Sequence, residues 1–310
     1  MRKFTFELDK NVERTELRFS NRFGIEIAAD LYLPKNIGNK KISGLVIGGP
    51  FGAVKEQVSG RYANEMAKNG FAALAFDGSF TGESGGNVRN VAAPDINTED
   101  FMAAVDGIGQ QPNVDRESIG VIGICGWGSI ALNAVAVDKR VKAVATVSMY
   151  DVSAGFADQP LEQRTAMLEN IGKQRWNDVD SKYPTPMPDQ VPHEISEDAD
   201  MDTKETFKFY RTKVGYHENS ILSNGHWNAT MPVSFMSTPM MNYMDEISPR
   251  PLLLVAGKNA FSRYMSEEAF NKAKDPKELV LVPNAWHSTL YYDMNKIPFT
   301  KIVSFFNDSL

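Results

Sequence analysis

The sequence has little cysteine, little histidine and no excess of positive charge. Cys125 is the single cysteine among 310 residues, which excludes an internal disulfide. With 33 basic and 39 acidic side chains the formal net charge is −6, so there is no electrostatic reason to bind nucleic acid. Residues 1–10 contain no apolar run of a secretory signal or membrane span. We therefore expect a cytoplasmic protein with neither nucleic-acid nor membrane partners.

The composition is otherwise that of a globular chain. Hydrophobic residues make up 42% and charged residues 23% of the sequence, which is typical of a protein with a packed core. A length of 310 residues fits two domains, or one larger α/β domain carrying an insertion.

Two kinds of hydrophobic pattern predict an α/β fold. Residues 13–34 alternate between polar and apolar, which indicates two antiparallel strands joined by a turn at Asn21 to Gly24. After Lys41, short apolar runs bounded by glycine are typical of buried parallel strands. Helical patterns lie between them, over 56–69 and over 99–108 behind a possible Thr98 cap. Alternating strands and helices predict a mostly parallel, doubly wound sheet of about eight strands.

This alternation lapses near Asp151 and resumes at Pro251. The intervening segment contains a helical pattern near 161–176, a proline-rich run and an acidic patch. We predict that residues 151–245 form a cap over the carboxyl edge of the sheet, and that 1–150 and 246–310 form the core.

Cys125 lies where a buried strand runs directly into a helix. Gly123, Gly126 and Gly128 surround it, so the backbone can make a sharp corner that presents the side chain at the sheet edge. The amino end of a helix favours a thiolate over a thiol, which predicts an activated cysteine. A lone cysteine in an apolar strand is more often a small buried hydrophobe. A dinucleotide loop is disfavoured because the G-x-G-x-x-G spacing is absent.

Five motifs together resemble the α/β-hydrolase superfamily, and most of all its dienelactone-hydrolase-like branch, whose strand-to-helix corner carries cysteine. They are G-P-F-G-A-V-K-E-Q from Gly49, F-D-G-S-F-T-G-E-S-G-G from Phe76, G-I-C-G-W-G from Gly123, S-P-R-P-L-L-L-V-A-G from Ser248 and P-N-A-W-H-S-T-L-Y-Y-D from Pro283. The resemblance implies an eight-stranded sheet and a nucleophile, an acid and a histidine in that order along the chain. Trp127 departs from it, because the family has glycine there.

The resemblance implies a catalytic role for His287, which follows the last predicted strand, whereas the other three histidines fall in the predicted cap. A histidine can take the thiol proton and return it to a leaving group. The family usually supplies its acid after the strand at 252–257, but no acid stands near Ala260. Asp151 is the leading replacement, and Glu267 and Asn259 stay open.

Acyl transfer also needs donors aimed at the developing oxyanion. The amide of Gly126 follows the nucleophile and is the usual first donor of this fold. Pro50 has no N–H, so the second donor is Phe51 or Gly52, and we favour Phe51. Glu56 invites comparison with a glutamate beside the cysteine in dienelactone hydrolases.

We expect Trp127, Tyr150 and Met240 to line the substrate pocket, although methionines and aromatics of this kind are often ordinary core residues. No metal-ligand spacing is present, and we expect neither metal nor cofactor.

The sequence thus predicts a hydrolase of ester, thioester or lactone bonds in a small, largely apolar substrate, through a Cys125–His287 acyl-enzyme. The alternative is a non-hydrolytic protein of the same fold that binds a ligand or senses oxidation through Cys125, and a weaker option is cofactor-free isomerisation or C–C cleavage. A homo-oligomer is possible.

Overall fold

The computed structural model describes residues 4–157 and 159–310, and within them eight strands form one mixed, mostly parallel sheet. The strands are β1 Val12–Ser20, β2 Glu26–Pro34, β3 Ile42–Gly48, β4 Ala72–Phe76, β5 Val114–Ile124, β6 Ala143–Val147, β7 Leu252–Gly257 and β8 Lys277–Val282. Their spatial order is β1-β2-β4-β3-β5-β6-β7-β8. β1 pairs with β2 and β2 with β4 in antiparallel fashion, and the remaining pairs are parallel. The predicted fold class is confirmed.

The helices, together with one 3₁₀ turn at Met244–Glu246, connect these strands. They are α1 Val58–Lys68, α2 Pro94–Gly109, α3 Gly126–Val137, α4 Ala154–Ala157, α5 Leu161–Ser181, α6 Met201–Arg211, α7 Ile221–Asn224, α8 Pro232–Ser237, α9 Arg263–Lys272, α10 Thr289–Tyr292 and α11 Phe299–Ser309. In the described part of the chain, none is both long and apolar enough to cross a membrane.

The sheet separates two hydrophobic layers, because neighbouring side chains on a strand point to opposite faces. Val46 and Val121 pack with α2, α3 and α9 on one face. Leu45 and Ile122 pack with α1 and α11 on the other. Both faces of the central strands are therefore buried, which explains their continuous apolar runs.

The prediction that Thr98 is the N-cap of α2 is wrong. α2 begins at Pro94, where a missing N–H costs nothing because the first N–H groups of a helix have no partner inside it. Thr98 lies within the helix, and its hydroxyl donates to the Pro94 carbonyl at 2.6 Å. The capping pattern failed because a threonine can also bond back to the preceding turn.

Helices α4 to α8 lie between β6 and β7. α5 extends to Ser181, five residues beyond the end of the predicted helical pattern at Trp176. The limits of the predicted cap, 151–245, stay a prediction, and its residue 158 lies outside the described residues.

The connections change direction between β3 and β5. The chain leaves β3 for β4 on one side and then crosses back to β5 on the other. In an open α/β sheet, ligands bind in the crevice beyond the strand ends at such a point. The loops after β3 and β5, which carry Phe51 and Cys125, are therefore neighbours at the carboxyl edge.

Candidate active site

Cys125 occupies a sharp corner between β5 and α3. Its φ is +57°, an unusual conformation for a residue with a side chain. Gly123 allows this corner, because a Cβ there would lie 2.6 Å from the Trp127 carbonyl oxygen. The Cys125 N–H donates to Val147, and its carbonyl accepts from Gly128 and Tyr150. The backbone thus fixes a half-buried cysteine at the edge of the sheet.

His287 meets the cysteine from the other end of the chain. The distance from His287 Nε2 to Cys125 Sγ is 3.3 Å. His287 lies between β8 and α10, where its N–H donates to Asp202 at 2.9 Å and its carbonyl accepts from Ser148 at 2.8 Å. The two residues that the sequence analysis paired are in hydrogen-bonding contact.

Ser262 is the partner of the other ring nitrogen. Its Oγ lies 2.5 Å from His287 Nδ1, and the residue is 1% exposed. If the thiol proton points at Nε2, then Nδ1 carries the hydrogen and donates to Ser262. Ser262 follows β7, which is where the family resemblance implies the acid. A neutral hydroxyl therefore stands at that position.

Both carboxylates considered for the acid have other partners. The Asp151 carboxylate accepts from the Ser153 N–H and hydroxyl at 2.9 and 2.6 Å. Glu267 forms an ion pair with Arg263, and the hydrogen-bond partner of His287 Nδ1 is Ser262, not Asn259. The structure therefore does not bring Asp151 to His287. Its loop after β6 turns the carboxylate back onto its own backbone, as in an Asx turn.

Two backbone N–H groups converge on the sulfur. The N–H groups of Phe51 and Gly126 both lie near enough to Cys125 Sγ to favour its charged form and lower the pKa of the thiol. The Phe51 ring stacks on Trp227 with centroids 4.3 Å apart, and the next carbonyl, of Gly52, accepts from Ser220 at 2.9 Å. The donors predicted for the oxyanion thus lie together, and the loop that carries Phe51 is held by residues from between β6 and β7.

Tyr291 is a site residue that the sequence analysis missed. It is 2% exposed, its hydroxyl lies near enough to Cys125 to lower the pKa of the thiol, and its ring lies 5.5 Å from that of His287. The residue lies four positions after His287 on α10, so only the motif that carries the histidine could have drawn attention to it.

Burial decides the charge of the pair. It raises the pKa of the Cys125 thiol, and the neighbouring polar groups of Tyr291, Phe51 and Gly126 oppose this only in part. Burial also lowers the pKa of His287 from 6.5 to about 3. The resting pair is therefore a neutral thiol beside a neutral imidazole. Desolvation of the sulfur therefore opposes the thiolate that the helix end favours.

This charge state predicts the pH dependence of the site. Since His287 protonates only near its lowered pKa, kcat/KM should stay constant as pH falls through 6.5 and decline well below it. Alkylation of Cys125 by iodoacetamide should be slow at neutral pH and accelerate above the ordinary thiol pKa of about 8.5. Enzyme assays over a pH series would measure kcat/KM. Mass spectrometry of Cys125 after timed exposure to iodoacetamide would measure the alkylation rate. Rapid alkylation at pH 6 would contradict a neutral pair.

Substitution of Ser262 should change the charge of the Cys125–His287 pair. In Ser262→Asp, a carboxylate beside Nδ1 should raise the pKa of His287 and lower that of Cys125, so that alkylation at pH 7 becomes faster. Ser262→Asn is the matched control, because asparagine has the same size and no charge. Ser262→Ala should lower kcat/KM about tenfold through the lost hydrogen bond. Equal alkylation rates for the aspartate and asparagine variants, both folded by circular dichroism, would show that Ser262 does not govern the charge of the pair.

Two of the predicted pocket residues lie in the core instead. Trp127 is 7% exposed and packs edge-on against Phe76 and Phe101, with centroids 5.2 and 5.5 Å away. It points inward because the first turn of α3 faces the sheet, where Gly78 leaves room for the indole. Met240 is 3% exposed in the same hydrophobic layer. Tyr150 lies beside the site, with its ring 6.4 Å from that of His287.

Glu56 belongs to a buried charge cluster and its partner is a lysine. Lys55 is fully buried, and its Nζ lies 2.7 Å from Glu56, 3.1 Å from Asp77 and 3.1 Å from Glu83. These contacts join the loops that follow β3 and β4. The cluster therefore stabilises the loop that presents Phe51.

No three histidine, cysteine or acidic side chains within 4–157 and 159–310 are grouped so that they could hold a metal ion.

Comparison of the sequence and the fold with known proteins shows the family of this chain. Residues 24–288 match the model of the family described as X-Pro dipeptidyl-peptidase (S15 family). The protein PA2218 of Pseudomonas aeruginosa, described as uncharacterized, is 54% identical over 99% of this chain and 83% of its own. The crystal structure of PA2218 superimposes with a TM-score of 0.95 at 52% identity, covering 99% of this chain and 97% of that one.

Two further similarities are more remote. A protein of Aspergillus aculeatus named thiohydrolase aneE is 37% identical over 44% of this chain and 42% of its own. The crystal structure of the α/β-hydrolase GrgF from Penicillium has a TM-score of 0.79 at 20% identity, covering 96% of this chain and 99% of that one, and shows the fold alone. The finer resemblance to the dienelactone-hydrolase-like branch stays a prediction. Since the matched region runs from the turn after β1 to the histidine loop, the chain has the α/β-hydrolase fold and belongs to the X-Pro dipeptidyl-peptidase (S15) family.

Proposed function

We propose that this protein hydrolyses ester, thioester or lactone bonds of a small, largely apolar substrate through an acyl-enzyme on Cys125. The convergence of His287 Nε2 and of the Phe51 and Gly126 N–H groups on one sulfur carries this proposal. A nucleophile, a base and two oxyanion donors are the groups that acyl transfer requires. The thiohydrolase of Aspergillus aculeatus, a relative over part of the chain, supports a thioester among the substrates.

The first half of the reaction uses His287 as a base and then as an acid. As Sγ attacks the substrate carbonyl carbon, the thiol proton moves to Nε2 and the carbonyl electrons move onto oxygen. The N–H groups of Phe51 and Gly126 hold that oxyanion. When it collapses, the bond to the leaving group breaks, Nε2 returns its proton to that group, and an acyl-cysteine remains.

Water completes the cycle by the same route. His287 takes a proton from water as the water oxygen attacks the acyl-cysteine, and the oxyanion forms again in the same place. The C–S bond then breaks and the sulfur regains the proton, which leaves the acid product and the resting thiol. Because both partners begin neutral, the proton transfer accompanies each attack, and we expect a normal solvent deuterium isotope effect on kcat/KM.

The decisive experiment is to trap the intermediate. The protein is mixed with a panel of short- to medium-chain p-nitrophenyl esters and acyl thioesters, quenched in acid and analysed by mass spectrometry. We expect the acyl mass on the peptide that contains Cys125, together with turnover. Absence of both acyl-cysteine and product across the panel would count against the proposal and favour the ligand-binding or redox-sensing alternative.

A further inference from the structure

Helix α6 presents one of its faces to the chain segment that begins at His287. Side chains spaced three or four residues apart lie on the same face of a helix, and on α6 this face contains Asp202, Glu205 and Thr206. The Tyr292 hydroxyl donates to Glu205 at 2.6 Å, and the hydroxyl oxygens of Thr206 and Ser288 lie 3.0 Å apart. Polar contacts therefore hold α6 against the segment that supplies the imidazole.

Asp202 joins the two loops whose side chains form the contact between Ser262 and His287. Its Oδ1 accepts from the His287 N–H at 2.9 Å, and its Oδ2 accepts from the Phe261 N–H at 3.0 Å. Phe261 directly precedes Ser262, whose Oγ lies 2.5 Å from His287 Nδ1. One carboxylate thus bridges the loop after β7 and the loop after β8 beside the point where their side chains meet.

A carboxylate suits this bridge because both of its oxygens accept hydrogen bonds. An amide of the same size has one accepting oxygen and a donating nitrogen, so it can hold only one of the two loops. Hydrogen bonds to an ionised carboxylate are also shorter and stronger than those between neutral groups. Asp202 is partly buried, where water weakens such bonds less than at an open surface. The bridge therefore fixes the separation of the two loops.

We propose that Asp202 is a positioning residue, which orients His287 by holding its backbone and that of the Ser262 loop together. This inference rests on the proposed use of His287 as the base. Proton transfer needs Nε2 to stay near Cys125 Sγ, 3.3 Å away, while Nδ1 stays on Ser262. A displacement of about 1 Å can lower the rate about 10²-fold, so a backbone contact of this kind matters for catalysis. A helix from between β6 and β7 thereby contributes to the alignment of the base.

Two asparagine substitutions at the start of α6 test the bridge. Asp202→Asn leaves one acceptor for two N–H groups, so kcat on an activated ester should fall about 10²-fold while KM stays within about threefold of the wild type. Asp200→Asn is the matched control: it removes the same charge two residues away, and asparagine can still accept from the Thr203 N–H as Asp200 does. This control should keep the wild-type kcat. Equal kcat values for the two variants would overturn the proposal.

A second measurement reports the imidazole without requiring turnover. In protein labelled with ¹⁵N-histidine, the two ring-nitrogen shifts of His287 are assigned by their absence from His287→Ala. They should be the same in the wild type and in Asp200→Asn, and in Asp202→Asn they should move towards the average of the two tautomers as the ring loses its fixed partners. If none of the three proteins hydrolyses an ester, the proposed function fails, and this difference would still support the positioning role. Wild-type shifts in Asp202→Asn would overturn that role whatever the activity.

Discussion

Replacing Cys125 with alanine should abolish turnover, with kcat/KM falling by at least about 10⁴-fold on any ester that the wild type hydrolyses. The reason is that alanine removes the atom that forms the covalent intermediate, while His287 and the two N–H groups remain in place. Cys125→Ala should also fail to take up the acyl group in the trapping experiment. The measurement is steady-state kinetics on an activated ester, paired with mass spectrometry of the intact protein.

Cys125→Ser provides the matched control for this loss. Since burial keeps the wild-type pair neutral, His287 already acts as a general base, and a serine in the same corner can be deprotonated in the same way. The serine variant should therefore retain more activity than the alanine variant and form an acyl-serine. Turnover of Cys125→Ala at the wild-type rate would falsify the assignment of the nucleophile.

Removing the base should have the second largest effect. His287→Ala should lower kcat/KM by about 10³-fold, the usual scale of general base catalysis, because the thiol then has no nearby group to accept its proton. The loss should shrink as pH rises, since hydroxide in bulk solution produces more thiolate at high pH. A pH series of kcat/KM for this variant and the wild type measures both effects.

His193→Ala is the control for His287→Ala. His193 is another of the four histidines, but its ring is exposed and contacts Asp189, away from Cys125. This variant should keep the wild-type rate. Equal activity of the His287 variant and the wild type at pH 7 would contradict the proposed mechanism, provided that thermal denaturation curves show both proteins to be folded.

The strand-to-helix corner at Cys125 and the histidine could be predicted from the sequence because their requirements are local. A corner with φ of +57° between a buried strand and a helix needs glycines at fixed offsets, and those are visible at Gly123, Gly126 and Gly128. The apolar runs likewise mark the parallel strands, because strands covered on both faces can carry few polar side chains. With only four histidines in the chain, the loop after β8 was the distinctive place for a base.

The partner of the base and the charge of the pair depended on the tertiary structure. Ser262, Tyr291 and Cys125 come from loops and helices distant in sequence, and no local pattern states which hydroxyl reaches Nδ1 and which reaches the sulfur. The same holds for Trp127, whose position beside the nucleophile suggested the pocket while its packing on Phe76 and Phe101 places it in the core.

By itself, then, the sequence determined a parallel α/β sheet with a cysteine at a strained corner and one well-placed histidine. Only the tertiary structure decided that a serine completes the constellation and that the resting pair is uncharged. The physical reason is that backbone conformation responds to adjacent residues, whereas a pKa depends on the desolvation summed over every group that surrounds the atom. That sum exists only after the loops beyond β3, β5, β7 and β8 have come together.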